Sequence, residues 1–361
     1  MNKILICRTD AIGDALLTLP VATALKRAWP KVRITFLASA YAADILEGQP
    51  GVDEVWAYAP QSEHQGSRGL KKLSARIRQS KFDAALLVFP DLRISWAVWR
   101  GGVPVRVGTG RRWWSGLYNR RVALSRAQGG CHEAQFNLEL VSALGVPAEL
   151  QPTRLHLAPA AQRWAQDFVR ARGIKAGERL VVVHPGGRGS AANWPREHYR
   201  ALVQRLVQWP KTRVLLTGAA AEQNLLAEVA RDCSPAPEIL RESISLKQLA
   251  ALLAMARVVV SGNTGPMHVA AGLRIPTVSF FPPAGVTGPE RWQPLGNRQV
   301  ILTPLVQDGK WDMCTISPET AEQAVKRLAG MTPKPGGGVT LRRAAAKVLP
   351  SGRKPKKRGV K

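Results

Sequence analysis

Lys3-Ile4-Leu5-Ile6-Cys7 runs straight into Arg8-Thr9-Asp10-Ala11-Ile12-Gly13-Asp14, and apolar gives way to polar at a single point. A short aliphatic run that stops at Asp and Gly reads as a buried parallel strand opening into a loop. The pattern returns roughly 250 residues later, where Ala256-Arg257-Val258-Val259-Val260 leads into Ser261–Ala271 (SGNTGPMHVAA). In open α/β sheets, ligands bind at these carboxyl ends of strands. One chain with two such mouths predicts two α/β domains facing each other across a cleft, each holding one of two substrates.

The segments between the two mouths alternate in the same way. Strands are predicted at 3–8, 32–37, 53–58 and 83–89, with helices at 13–28, 40–48, 68–79 and 93–101. A loop-rich basic segment leads to a helix over 132–144, which Gly145 stops. Pro147–Pro159 reads as the passage between domains. Beyond a helix at 160–172, strands are predicted at 179–184, 212–217, 237–240, 257–260 and 276–280. The helices between them fall at 196–208, 219–232, 246–255 and 265–272. Alternation with short loops means parallel sheets with right-handed crossovers. The predicted division is 1–155, 156–330 and a tail over 331–361.

A chain of 361 residues with 45% hydrophobic content suits two such domains. Cys7, Cys131, Cys233 and Cys314 form no CxxC pair, so neither a disulfide framework nor a zinc site is expected. No metal and no cofactor are predicted. The five-residue apolar run before Arg8 is too short for a signal peptide or a spanning helix, so a cytoplasmic protein is expected.

The formal charge of +27 is uneven. Ten of the 52 Lys/Arg and none of the 25 acids lie beyond Gly330, leaving 42 against 25, or +17, in the rest. That tail opens with Pro333-Lys334-Pro335-Gly336-Gly337-Gly338 and reads as a disordered basic appendage, either solubilising or drawn to an anionic surface. A second basic stretch lies inside the folded part. Between Asp91 and Glu133 there is no acid but there are eight arginines: Arg93, Arg100, Arg106, Arg111, Arg112, Arg120, Arg121 and Arg126. Trp96, Trp99, Trp113 and Trp114 are interleaved with them. Guanidinium grips phosphate while indole covers a sugar or headgroup, so Arg93, Arg111, Arg112, Arg120 and Arg121 are candidate acceptor contacts. The alternative is a core of tryptophans and a solvated basic face.

Asp14 follows Gly13 where loop becomes helix. There a carboxylate either caps the helix or, ionised by its N-terminus, serves as a base, with the glycine admitting substrate to the backbone. Thr264, Gly265 and His268 follow the second strand, with Pro266 in the first helical turn, and suit a diphosphate.

RTDAIGDALLTLP (8–20), HPGGRGSAANWP (184–195) and SGNTGPMHVAAGLRIPTVSFF (261–281) together resemble glycosyltransferase family 9, the heptosyltransferases of the lipopolysaccharide inner core. The resemblance covers about residues 1–330. It implies a GT-B architecture of two Rossmann-like domains, with acceptor on the first and nucleotide-sugar on the second. It implies inverting transfer from ADP-heptose to an anionic lipid-linked saccharide at the inner membrane's cytoplasmic face, with Asp14 as base. The donor residues it implies are Arg188, Ser190, Glu222, Asn263, Thr264, Gly265 and His268; Gly13 joins the acceptor side. Two positions depart from the family pattern. Asn263 stands where many members have an acid, and Ala192 where a lysine usually meets the leaving diphosphate, for which Arg188 is the expected substitute. A non-catalytic or altered-donor member is therefore an alternative. Another is a nucleic-acid-binding protein acting through its basic tail, although no zinc finger, RNP-type strand or helix-turn-helix pattern is present and no specific nucleic acid is expected.

Overall fold

The computed structural model describes residues 1–331 except 125, 127–129, 188, 190 and 191. Arg188, Ser190 and the basic tail from residue 332 thus lie outside the described residues.

The first half is built from β1 (Lys3–Arg8), α1 (Ile12–Leu16), α2 (Leu19–Ala28), β2 (Arg33–Ser39), α3 (Ala40–Leu46) and β3 (Glu54–Tyr58). It continues with α4 (Gly66–Ser80), β4 (Ala84–Leu87), α5 (Leu92–Arg100), β5 (Val105–Thr109), β6 (Arg120–Val122) and α6 (Glu133–Leu138). The second half opens with α7 (Pro159–Ala171), β7 (Arg179–His184), α8 (Arg196–Leu206), β8 (Thr212–Leu216), α9 (Gln223–Ala230) and β9 (Glu238–Ile239). There follow α10 (Leu246–Ala254), β10 (Val258–Gly262), α11 (Gly265–Gly272), β11 (Thr277–Phe280), α12 (Pro289–Trp292), β12 (Gln299–Leu302) and, after a short hairpin, α13 (Pro318–Ala329).

Each half holds a parallel six-stranded sheet, β3-β2-β1-β4-β5-β6 and β9-β8-β7-β10-β11-β12. The two orders are the same. In each, the strand order reverses beside the first strand, between β1 and β4 and between β7 and β10, where a doubly wound sheet opens its ligand crevice. The central strands are buried along nearly their whole length, as strands covered by helices on both faces must be.

Two sequence expectations need correction. Residues 13–28 are not one helix. Pro20 has no N–H to give the carbonyl four residues back, so the helix breaks at Leu17–Thr18. The Thr18 hydroxyl donates to the Asp14 carbonyl at 2.9 Å. The buried Asn137 amide donates to the Leu17 carbonyl and to Thr18 Oγ1, both at 3.2 Å, and stitches the break shut. α1 is thereby a separate five-residue helix, free to point differently from α2. The basic segment after α5 is likewise not loop alone, for it contributes β5 and β6 to the first sheet. β6 is an edge strand whose Arg120 and Arg121 are exposed, so it carries none of the burial pattern by which strands are recognised.

The halves meet through helices. α3 packs on α10, where the Lys247 N–H and ammonium reach Asp44 and Glu47 at 3.0 and 2.6 Å. α1 packs on α11 through two glycines, each lying under a side chain of the other helix. A Cβ on Gly13 would sit 2.6 Å from His268 Cδ2, and one on Gly265 would sit 2.2 Å from Ile12 Cγ2. Residues of both helices belong to one apolar cluster that runs through both halves. The passage between halves is held as well. The Leu155 N–H donates to the Gly272 carbonyl at 2.9 Å, and the Gln49 amide pairs with the His156 backbone in both directions at 2.9–3.0 Å.

Adding one methyl at either glycine must therefore spread α1 from α11. Gly13→Ala and Gly265→Ala are each expected to cost about 1–3 kcal/mol in urea unfolding, the usual cost of overpacking. Gly116→Ala, where a Cβ meets nothing within 4 Å, should stay within about 0.5 kcal/mol of the parent. Equal stability of all three would show that the helices do not depend on bare backbone at their contact.

Candidate active site

The floor of the crevice is a buried guanidinium. Arg8 ends β1, is 3% exposed, and is surrounded by acids. Its Nε donates to Asp10 at 2.7 Å, its Nη1 to Glu133 and to Asn137 at 2.9 Å each, and its Nη2 to Asp14. Burial works against this charge, but Asp14, Asp10 and Glu133 together hold it firmly protonated. Asp14 lies in the first turn of α1 and is 16% exposed. Its side chain does not cap the helix. Burial raises its pKa to about 7; Arg8 opposes the rise, while Asp10 and Glu133 add to it. Near neutral pH this carboxyl group therefore both accepts and releases a proton, which is what a general base requires.

Gly13 and His268 come together. The imidazole occupies the space over Gly13, so the absent side chain there makes room for a ring of the other half. Burial, together with nearby His132, lowers the His268 pKa to about 3, so the ring is neutral. Its Nδ1 is buried with no partner among the described residues. Thr264 caps α11, but its hydroxyl is shared with Ser261 Oγ at 2.7 Å, and the Asn263 amide donates to the Thr287 carbonyl at 3.3 Å. With both side chains engaged inside the second half, the first turn of α11 carries the backbone N–H groups of Gly265 and Met267, Pro266 having none.

Glu222 stands over the loop that follows β7. A Cβ on Gly186 would lie 2.2 Å from its Oε1, and its Oε2 accepts from the Ala219 N–H at 2.7 Å. Behind it, buried His184 is kept neutral by desolvation, and its ring shares a 3.1 Å hydrogen bond with Thr217. Trp194 anchors the far end of the β7 loop, stacked on Phe280 at 4.1 Å with its indole N–H on the Ile316 carbonyl. Ala192 packs on the same core. The loops after β7, β8 and β10 thus lie side by side on three adjacent strands.

The five arginines that the sequence offers as candidate acceptor contacts divide. Arg93 donates to the His64 and Gly66 carbonyls at 2.9 and 3.0 Å. Arg120 donates to Ala143 and Arg121 to Tyr118. Arg111 and Arg112 are exposed on the turn after β5, two strand spacings or about 10 Å along the sheet from β1. Arg112 lies near Trp114, 5.8 Å from its ring centroid. Trp113 is 82% exposed. It borders a groove also lined by Leu70, Leu92, Trp96, Trp114 and Leu117.

Sequence reasoning missed the partners of Asp14. Arg8 was in view as the last residue of a buried strand with two acids close behind. Glu133 was in view too, as the first acid after 41 residues without one. Arg126 and Arg291 carried no local signal, because their contacts to Glu133 form only in the fold.

A family profile described as glycosyltransferase family 9 (heptosyltransferase) matches residues 70–311. The chain belongs to that family. It is a glycosyltransferase of the heptosyltransferase-like lipopolysaccharide group. It is 25% identical over 302 residues to lipopolysaccharide heptosyltransferase 3 of Escherichia coli, covering 80% of this chain and 85% of the relative. In fold it is similar to the glycosyl transferase family 9 protein of Veillonella parvula, with a TM-score of 0.83, 19% identity, and coverage of 92% and 98%. It is also similar to E. coli ADP-heptose lps heptosyltransferase II, with a TM-score of 0.76, 20% identity, and coverage of 91% and 98%. Among the described residues no helix is long and apolar enough to cross a membrane.

The raised pKa of Asp14 carries a stability cost of known sign. The native carboxyl binds its proton near pH 7, against an ordinary value of 3.8. Between those values the folded state holds more proton than the unfolded one, so the Asp14 contribution improves as pH falls from 8 to 5. Asp14→Asn has no such dependence. The stability of the parent relative to Asp14→Asn is expected to rise on acidification, with a slope of at most about 1.4 kcal/mol per pH unit. Urea unfolding at three pH values measures it, and a constant difference would mean that Asp14 is ionised throughout.

Proposed function

We propose that this enzyme transfers a heptose, or a closely related sugar, from an ADP-linked donor to an anionic lipopolysaccharide inner-core acceptor, with Asp14 as general base. The observation that carries this reading is a largely buried carboxyl group, poised near neutrality, in the crevice where the two sheets present their carboxyl ends. Asp14 takes the acceptor hydroxyl proton as that oxygen attacks the anomeric carbon. The bond from that carbon to the diphosphate breaks on the opposite face, giving inversion and releasing ADP. Arg8 orients Asp14. The N-terminus of α11 at Thr264 and Gly265, with His268, receives the charge that develops on the leaving diphosphate. Glu222 is assigned to the ribose and Asn263 to the sugar or ribose. Arg188 and Ser190, which follow β7 in the sequence, are assigned to the diphosphate, with Arg188 replacing the cation absent at Ala192. The ADP donor is further supported by the fold shared with an ADP-heptose lps heptosyltransferase.

On the acceptor side, the exposed Arg111 and Arg112, which pair with no carboxylate among the described residues, suit phosphates and carboxylates, while Trp113 suits the headgroup region of an anionic leaflet. Arg93, Arg120 and Arg121 support that surface from their backbone contacts. The enzyme is placed by this reading at the cytoplasmic face of the inner membrane.

Asp14→Asn keeps the size of the side chain and removes the base. Transfer from ADP-heptose should fall about 10²–10⁴-fold, while the thermal shift produced by the donor is unchanged. Near-parent turnover would exclude Asp14 and turn attention to Asp10.

Neutralising Arg111 and Arg112 together should raise the acceptor KM and weaken binding to anionic vesicles, with donor KM constant. Because exposed charges are screened, the parent's binding should also weaken as salt rises. Unchanged acceptor kinetics and vesicle binding would make this a solvated face.

A further inference from the structure

Glu133 is a buried acid with no role in the chemistry above. It opens α6 with no exposed surface and collects three guanidiniums. Oε1 accepts from Arg8 Nη1 and Arg126 Nε at 2.9 Å each. Oε2 accepts from Arg291 Nε at 2.9 Å, with Arg291 Nη2 at 2.8 Å. Arg8 and Arg126 also share Asn137 Oδ1, at 2.9 and 3.0 Å. Only Arg291 comes from the second half, on α12. Next to it, the Gln293 carbonyl accepts from His132 Nε2 at 2.9 Å, while His132 Nδ1 accepts the Ala134 N–H at the start of α6. An unbroken series of ion pairs, Arg291–Glu133–Arg8–Asp14, therefore leads from the donor half to the base.

We propose, given Asp14 as the base, that Glu133 is a positioning residue that arms Asp14 only when Arg291 is seated against it, so that contact between the two halves sets the proton-accepting state of the site. The charges facing Asp14 are Arg8 from β1, Asp10 from the following loop and Glu133 from α6. His268 from α11 lies close by but is neutral. Arg126 and Arg291 act through Glu133. With both in place, the charge of Glu133 is largely matched, Arg8 is less drawn away from Asp14, and Asp14 is poised to give up its proton near pH 7. When Arg291 withdraws, Glu133 acts on Asp14 with less compensation and draws more strongly on Arg8. Both effects return a proton to Asp14. The base is then kept protonated in an open molecule and released for work in a closed one.

The test is a ¹³C NMR titration of the Asp14 carboxyl, identified by its loss in Asp14→Asn, alongside kcat/KM against pH. Glu133→Gln should lower the midpoint by about 1 pH unit or more, because it removes a neighbouring negative charge and leaves Arg8 to Asp14. Arg291→Met should move it the opposite way, and Arg291→Lys should return it toward the parent. The acid limb of kcat/KM should follow each shift. A residue that only holds the fold would lower activity at every pH and move neither. Removing a buried partner of three cations can prevent folding, in which case Arg291→Met and Arg291→Lys, on the rim, decide the matter. Midpoints that coincide with the parent's in variants of parent-like melting would overturn the coupling. Midpoints that move while the kinetic limb stays fixed would instead overturn Asp14 as the base.

Discussion

A guanidinium with almost no access to water is the constraint on which this crevice depends. Arg8 cannot be left unmatched, since an unpaired buried charge costs several kcal/mol. Its partners are taken from three places: the loop after β1, the first turn of α1, and α6 more than 120 residues away. Satisfying one side chain thereby fixes the end of the central strand, the angle of a detached five-residue helix, and the return of the chain beneath it. Asn137 extends the same arrangement, accepting from Arg8 while closing the helix break that Pro20 causes.

The same cluster explains why a carboxyl group touching an arginine is not simply a strong acid. Asp14, Asp10 and Glu133 compete for Arg8, and two of them repel charge on Asp14. In a poorly solvated site those repulsions and the loss of water outweigh the single ion pair. Burial also acts in the second half, where it keeps His184, at the end of β7, and His268, in α11, neutral. Positive charge is thus withheld from both imidazoles.

The order of elements was readable wherever a strand is central, because Ile4–Cys7, Val181–His184 and Val258–Val260 have no solvent-facing side to dilute the apolar run. It failed at β6, where exposed arginines on the sheet edge look like loop, at neighbouring β5, whose short run holds a half-buried arginine and two small polar-end residues, Gly108 and Thr109, and at Pro20, which ends one helix and begins another within a single amphipathic stretch. Position within the crevice was also legible for Asp14 and the Thr264–His268 turn, since both follow central strands directly. The reason for Gly13 was not. Local sequence offered a gap for substrate, whereas the fold fills that gap with a ring brought from 255 positions along the chain. Glu133 shows the same limit, for no periodicity encodes which cations a buried acid will meet.

The bonded passage between the halves has a consequence for how the site is assembled. Leu155 is spliced to α11 and His156 to Gln49, with Arg274 holding the Pro152 carbonyl at 3.3 Å. A slack tether would let one half sample a wide volume and dilute its effective concentration near the other. Here the crossing chain is already ordered against both partners, so its entropy is spent once, on folding, and not at each encounter with substrate. Sliding of α1 along α11 would be limited by the fit of Gly13 under His268 and of Gly265 under Ile12, so these two bare backbone positions set how far the halves can shear without unpacking.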